Sequence, residues 1–154
     1  MEDNTLWAKI QLDLLAQKTQ DLSELEQKTF SESYLIGAIN RVPELTTSID
    51  DLTAFKADVE ELITLFPLRN EKWKFDGIPY QKKMGTFKSS LQKKYKLVSK
   101  GYYISIWLPM GIALGLPYGL MFKNLALGIP IGLGIGVAIG ASLDRKAEKE
   151  NRVI

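Results

Sequence analysis

Two uncharged runs dominate what this chain can become. Residues 102–122 and 125–143 contain no Asp, Glu, Lys or Arg, and only Lys123 and Asn124 stand between them. About 20 apolar residues cross a hydrocarbon core of roughly 30 Å as a helix. Each run meets that length, and so short a connection sends the second helix back antiparallel to the first. Tyr102, Tyr103 and Trp107 lie near the start of the first run, where aromatic rings favour the membrane interface.

The glycines within these runs carry a second constraint. Gly111, Gly115 and Gly119 recur every fourth residue, as do Gly128, Gly132, Gly136 and Gly140. On a helix such positions stack along one face and let two backbones approach closely. The segments 108–119 and 129–140 also match at an offset of 21, with one proline and three glycines coinciding. A step of two residues turns a helix by about 200°, so Ala126, Pro130, Gly134, Ala138 and Ser142 form a second ridge of small residues on the opposite face. Pro109, Ala113 and Pro117 do the same on the first helix. One ridge serves the partner within the chain, and the other is expected to serve a neighbouring copy. Gly111, Gly115, Gly119, Gly128, Gly132, Gly134, Gly136, Ala138 and Gly140 are the expected packing and oligomerisation residues.

Period two is also the strand period, but a lone β-hairpin would leave unpaired edges in lipid, and three prolines remove ladder donors. The expectation is helix, with kinks at Pro117 and Pro130. Intramembrane charges mark ion and proton relays, and neither run has one. A helical hairpin with glycine repeats is similar to the rotor-ring subunit of ATP synthases, yet that family needs a mid-membrane carboxylate that is missing here.

Charge is segregated along the chain. Residues 1–70 carry 13 acidic and 6 basic side chains, and residues 71–101 carry 9 basic and 2 acidic ones. Lys82, Lys83, Lys88, Lys93, Lys94, Lys96 and Lys100 precede the first run. Arg145, Lys146, Lys149 and Arg152 follow the second, and the turn has Lys123 alone. The positive-inside bias predicts both termini in the cytoplasm. The seven lysines are candidates for contact with anionic lipid headgroups. The acidic N-terminal stretch does not read as a signal peptide.

Residues 5–66 read as helical. Leu6, Ile10 and Leu14 share a face beside Trp7, behind a cap at Asn4 or Thr5. Leu22, Leu25, Tyr34, Ala38 and Val42 continue the stripe imperfectly, and Pro43 is expected to end that section. The clearest helix runs from Ile49 to Phe66, with Ser48 and Asp51 at its start and Leu52, Phe55, Val59, Leu62 and Phe66 three and four apart. These apolar residues are expected to form a core or a seam between helices. Trp73, Phe75 and Asp76-Gly77 suggest a structured loop. From Met84, the residues Phe87, Leu91, Tyr95, Val98 and Tyr102 predict an amphipathic helix leading directly into the first span, with a bend at Gly101.

With neither Cys nor His in the chain, disulfides, cysteine nucleophiles and nearly all zinc or haem ligation are excluded. No phosphate loop, nucleophile elbow or metal spacing is present, and paired carboxylates such as Asp50-Asp51 and Glu60-Glu61 read as solvated surface. No catalytic, cofactor or metal site is expected, and no nucleic-acid partner.

At the double glycine repeat, ending in Asp144-Arg145-Lys146, the chain resembles small bacterial membrane proteins of the glycine-zipper two-helix hairpin type. The resemblance spans about 40 residues; it implies close helix packing and self-association and transfers no active site. The expected architecture is all-α. An acidic cytoplasmic domain, residues 1–70, forms a helical hairpin or coiled-coil-like unit. A basic juxtamembrane segment follows at 71–101, then the transmembrane hairpin at 102–143 and a charged tail at 144–154. The expected function is a non-enzymatic, oligomerising membrane adaptor or scaffold, with the bilayer, its own copies and a soluble protein as partners. The alternative is an oligomeric pore or small channel of effector or lysis type.

Overall fold

A computed structural model describes residues 2–67 and 77–154, with side chains from Asn4 onward. The expected loop residues Trp73, Phe75 and Asp76 lie outside these. The described chain is helical, and it divides into two compact units, residues 1–96 with Ile154 and residues 97–153.

The first unit holds α1 (Glu2–Thr19), α2 (Glu24–Thr29), α3 (Glu32–Leu45), α4 (Ile49–Thr64) and α5 (Ile78–Tyr95). The chain turns between α1 and α2 because Ser23 and Glu26 form a reciprocal cap: the Ser23 hydroxyl accepts from the Glu26 amide, and the Glu26 carboxylate accepts from the Ser23 amide at 2.8 Å. Ser31, in the left-handed region at φ 56°, redirects the chain into α3. Pro43 does not end α3, which continues to Leu45. Ser48 caps α4 through the Asp51 amide, as its S-x-x-D spacing predicts.

The core of this unit is aromatic. Phe30, Phe66 and Tyr80 meet edge to face at 5.1–5.9 Å between ring centroids, a geometry that matches positive ring edges to negative faces. The Tyr80 hydroxyl donates to the Phe30 carbonyl at 2.7 Å. Phe55 of α4 stacks on Phe87 of α5 at 5.8 Å. Val59, Leu62 and Phe66 are buried as their spacing predicts, together with Leu35, Ala38, Ile39 and Val42 of α3.

Further expectations need correction. The Leu6–Ile10–Leu14 face of α1 is exposed, at 60, 48 and 40%. The buried face is instead Gln11 and Leu15, with Trp7 at its edge. The Trp7 ring lies 6.0 Å from Phe55, and its Nε1 donates to Glu60 at 2.9 Å. The bulky indole, which needs both an apolar seat and an acceptor for its N–H, sets the rotation of α1. Leu25 is also exposed.

Finally, α5 begins at Ile78, ahead of the stripe expected from Met84, and it does not run on into the first span. It stops at Tyr95, capped by Lys96 in the left-handed region. Its stripe of Tyr80, Met84, Phe87 and Leu91 is buried.

The second unit holds α6 (Tyr102–Met121) and α7 (Leu125–Lys149), an antiparallel pair. Gly101, at φ 74°, starts α6. Asn124 caps α7 by accepting from the Ala126 amide at 3.1 Å, and its own amide donates to the Gly119 carbonyl at 2.8 Å. Both helices run uninterrupted through Pro109, Pro117 and Pro130. Beyond α7, the Val98 amide donates to the Arg152 carbonyl at 2.9 Å in a parallel bridge between Val98 and Val153.

Candidate functional site: a glycine seam in an exposed apolar hairpin

Each of α6 and α7 contains a window long and apolar enough to cross a membrane, and only 17% and 22% of those windows are buried. The core helix of a soluble protein would be mostly covered. An apolar surface this extensive marks a membrane or partner contact, and these lengths fit a bilayer.

What little is buried is glycine. On α6 the buried residues are Gly111, Gly115 and Gly119; on α7 they begin with Gly128, Gly132, Gly136 and Gly140. The two backbones touch. A Cβ on Gly111 would lie 2.7 Å from the Gly136 Cα, one on Gly115 2.8 Å from the Gly132 Cα, and one on Gly128 2.5 Å from the Gly115 carbonyl oxygen. The obstacles are backbone atoms, which have no rotamer to give. Such an approach replaces side-chain packing with Cα–H to carbonyl contacts and dispersion between main chains.

The seam ends in a group that spacing alone did not single out. Asp144 continues the four-residue series Gly128, Gly132, Gly136, Gly140, and it is buried. Its carboxylate accepts from the Tyr103 amide at 3.0 Å and the Ile104 amide at 3.2 Å. A side chain of α7 therefore caps the first turn of α6, where free amides and the helix dipole favour an anion. The sequence signal was available: an acid at the next register position of a glycine series can reach the start of an antiparallel neighbour.

The second small ridge faces outward. Ala126, Pro130, Gly134, Ala138 and Ser142 are all exposed, as are Pro109, Ala113 and Pro117. A Cβ on Gly134 would meet nothing within 4 Å. Of the expected packing residues, Gly134 and Ala138 thus stand apart from the seam within the chain.

The candidate lipid-contact lysines divide differently. Lys83 pairs with Asp58 at 2.7 Å and with Glu61, and Lys94 pairs with Asp51. Hydrogen bonds to those carboxylates hold both ammonium groups above the usual lysine range. Lys88 is half-buried, donates to the Ser31 hydroxyl at 2.7 Å and lies 5.1 Å from the Tyr34 ring centre; burial pushes its pKa down. Two lysines of basic α5 thus pair with three carboxylates of acidic α4, so part of the charge separation along the sequence is neutralised inside the first unit. Lys82, Lys93, Lys96 and Lys100 are exposed.

Comparison with known proteins agrees with the hairpin's geometry. A family model described as glycine zipper membrane protein matches residues 93–146, about a third of the chain. No curated protein and no solved structure matches. The matched segment contains both apolar helices, the whole glycine seam and Asp144. The C-terminal hairpin is thus similar to glycine-zipper membrane proteins, and α6 and α7 are its two membrane-spanning candidates.

Proposed function

We propose that the chain is a non-enzymatic membrane adaptor that self-associates through the outer ridge of α7 and presents its N-terminal unit to a soluble protein. The exposed ridge around Gly134 carries this reading. The seam ridge is consumed within the chain, while the outer one keeps the small residues that allow close packing of membrane helices. Without a hydrophobic drive between helices in lipid, such surfaces are where association gains its contacts. The distribution of Lys and Arg supports both ends lying in the cytoplasm. The exposed Leu6–Ile10–Leu14 stripe supports a protein-facing role for the first unit, because aligned apolar side chains on a helix are a common docking face.

Analytical ultracentrifugation of the full chain in detergent tests self-association. The wild type is expected above the protomer mass, and Gly134→Leu, for which the hairpin has room, is expected to shift toward the protomer. A wild-type protomer, or an unchanged Gly134→Leu assembly, would overturn the proposed interface. Reconstituted liposomes are expected to stay tight to ions. Leakage that tracks the assembly would replace the adaptor with a pore.

A further inference from the structure

Lys88 lies four residues after Met84 and three before Leu91, both buried, and positions so spaced are neighbours on one helix face. The residue therefore follows the buried side of α5 and is itself half-buried. There its Nζ donates to the Ser31 hydroxyl at 2.7 Å and lies 5.1 Å from the centre of the Tyr34 ring. A serine at the start of a helix ordinarily accepts from a first-turn amide. Ser31, in the left-handed region at φ 56°, makes no such bond, and its hydroxyl serves Lys88 instead. Few polar groups reach this corner: Tyr34 is 4% exposed, and its hydroxyl has no hydrogen-bond partner among the described residues.

Lys88 also has no carboxylate partner among the described residues. The acids of the surrounding elements are engaged elsewhere. Glu32 of α3 accepts from the Thr19 hydroxyl at 2.6 Å, and on α4 Asp58 and Glu61 hold Lys83 while Asp51 holds Lys94. Desolvation, unopposed by an ion pair, pushes the Lys88 pKa down. The face of the Tyr34 ring favours the cation but does not reverse that direction. A lysine amine is nucleophilic only when neutral, and desolvation away from counter-charge is one route to that state.

We propose that Lys88 is a modification site, an amine that takes up acyl groups from activated donors, a thioester or an acyl phosphate. The ammonium loses a proton to water, and the Nζ lone pair attacks the acyl carbonyl carbon. An N–C bond forms, the C–S or C–O bond to the donor breaks, and thiolate or phosphate leaves with that electron pair. The nitrogen then releases one more proton to water. The amide product keeps one N–H for Ser31 and no longer places a charge against Tyr34. The site lies wholly in the first unit, so it is independent of membrane insertion and of self-association.

The full chain in detergent, near neutral pH, is treated briefly with acetyl coenzyme A or with acetyl phosphate. Remaining amines are then capped with deuterated acetic anhydride in urea, and mass spectrometry reads the light fraction at each lysine. Lys88 is expected to react about threefold or more faster than Lys82 and Lys93. Those two are exposed, so access favours them and an excess at Lys88 reports reactivity. The Lys88 rate should also level off below the ordinary lysine pKa of about 10.4. Ser31→Asp places a carboxylate beside the amine, and aspartate suits both a left-handed residue and the start of a helix. Lys88 should then fall to the reference rate or below, with helical content by circular dichroism unchanged.

Selectivity for Lys88 with one donor alone supports the site and assigns the acyl source. No excess at Lys88 with either donor, or an unaltered excess in folded Ser31→Asp, would overturn it.

Discussion

Gly115 and Gly134 are chemically identical and belong to one hairpin, yet their surroundings are opposite. A methyl group on Gly115 meets the backbone of Gly132, whereas one on Gly134 meets open space. Gly115→Ala is therefore expected to destabilise the hairpin by about 1–3 kcal/mol, the usual range for overpacking. Gly134→Ala should leave it unchanged; thermal melts of both variants in detergent make the comparison. Two tyrosines of the first unit form a similar contrast. The Tyr80 hydroxyl is paired with the Phe30 carbonyl, while the buried Tyr34 hydroxyl has no hydrogen-bond partner among the described residues. Burial drives the Tyr34 pKa up to about 12. Removing a paired group strands its partner, whereas removing an unpaired one relieves a desolvation cost of about 1–3 kcal/mol. Tyr34→Phe should accordingly raise the urea midpoint and Tyr80→Phe should lower it. The glycine contrast follows the two ridges read from the spacing, whereas the tyrosine contrast is not written in local sequence, because it depends on what another helix brings alongside.

Among the elements, the glycine-lined pair was the most legible part of the chain, since length, lack of charge and the four-residue glycine spacing all act within the helix itself. The rotation of α1 was not legible. Leu6, Ile10 and Leu14 satisfy helical periodicity as well as the true core face does, and the indole of Trp7 decides between them by its contacts with Phe55 and Glu60. Ile10→Lys is expected to change unfolding free energy by less than about 0.5 kcal/mol, as surface changes usually do. Leu15→Ala, at a position 1% exposed, should cost about 2–5 kcal/mol; chemical denaturation of the two variants checks the assignment.

The pairing of α4 with α5 was hidden for another reason: acidic and basic runs far apart in sequence look like separate surfaces until they meet. Lys83 has its pKa raised by Asp58 and Glu61. Its stabilising contribution is fully present below the ordinary lysine pKa of about 10.4 and is lost as pH climbs through the raised value. Lys83→Met should therefore be less stable near neutrality but show a smaller decline from about pH 9 to 12, read from urea midpoints across that range.

At the scale of the whole molecule, the chain joins a helical unit with its own aromatic core to a hairpin whose apolar surface is mostly uncovered. The first gains its stability from burial in water. The second fits two backbones together and leaves most of its apolar surface uncovered. The absence of native cysteine opens the hairpin's crossing of the bilayer to a direct test. Cysteines placed one at a time at Lys82, Lys123 and Lys149, in cells expressing the full chain, are exposed to a membrane-impermeant maleimide before and after permeabilisation. Position 123 is expected to react in intact cells, and positions 82 and 149 only after permeabilisation. Labelling of 123 from the same side as 82 and 149 would contradict a hairpin that crosses the bilayer twice.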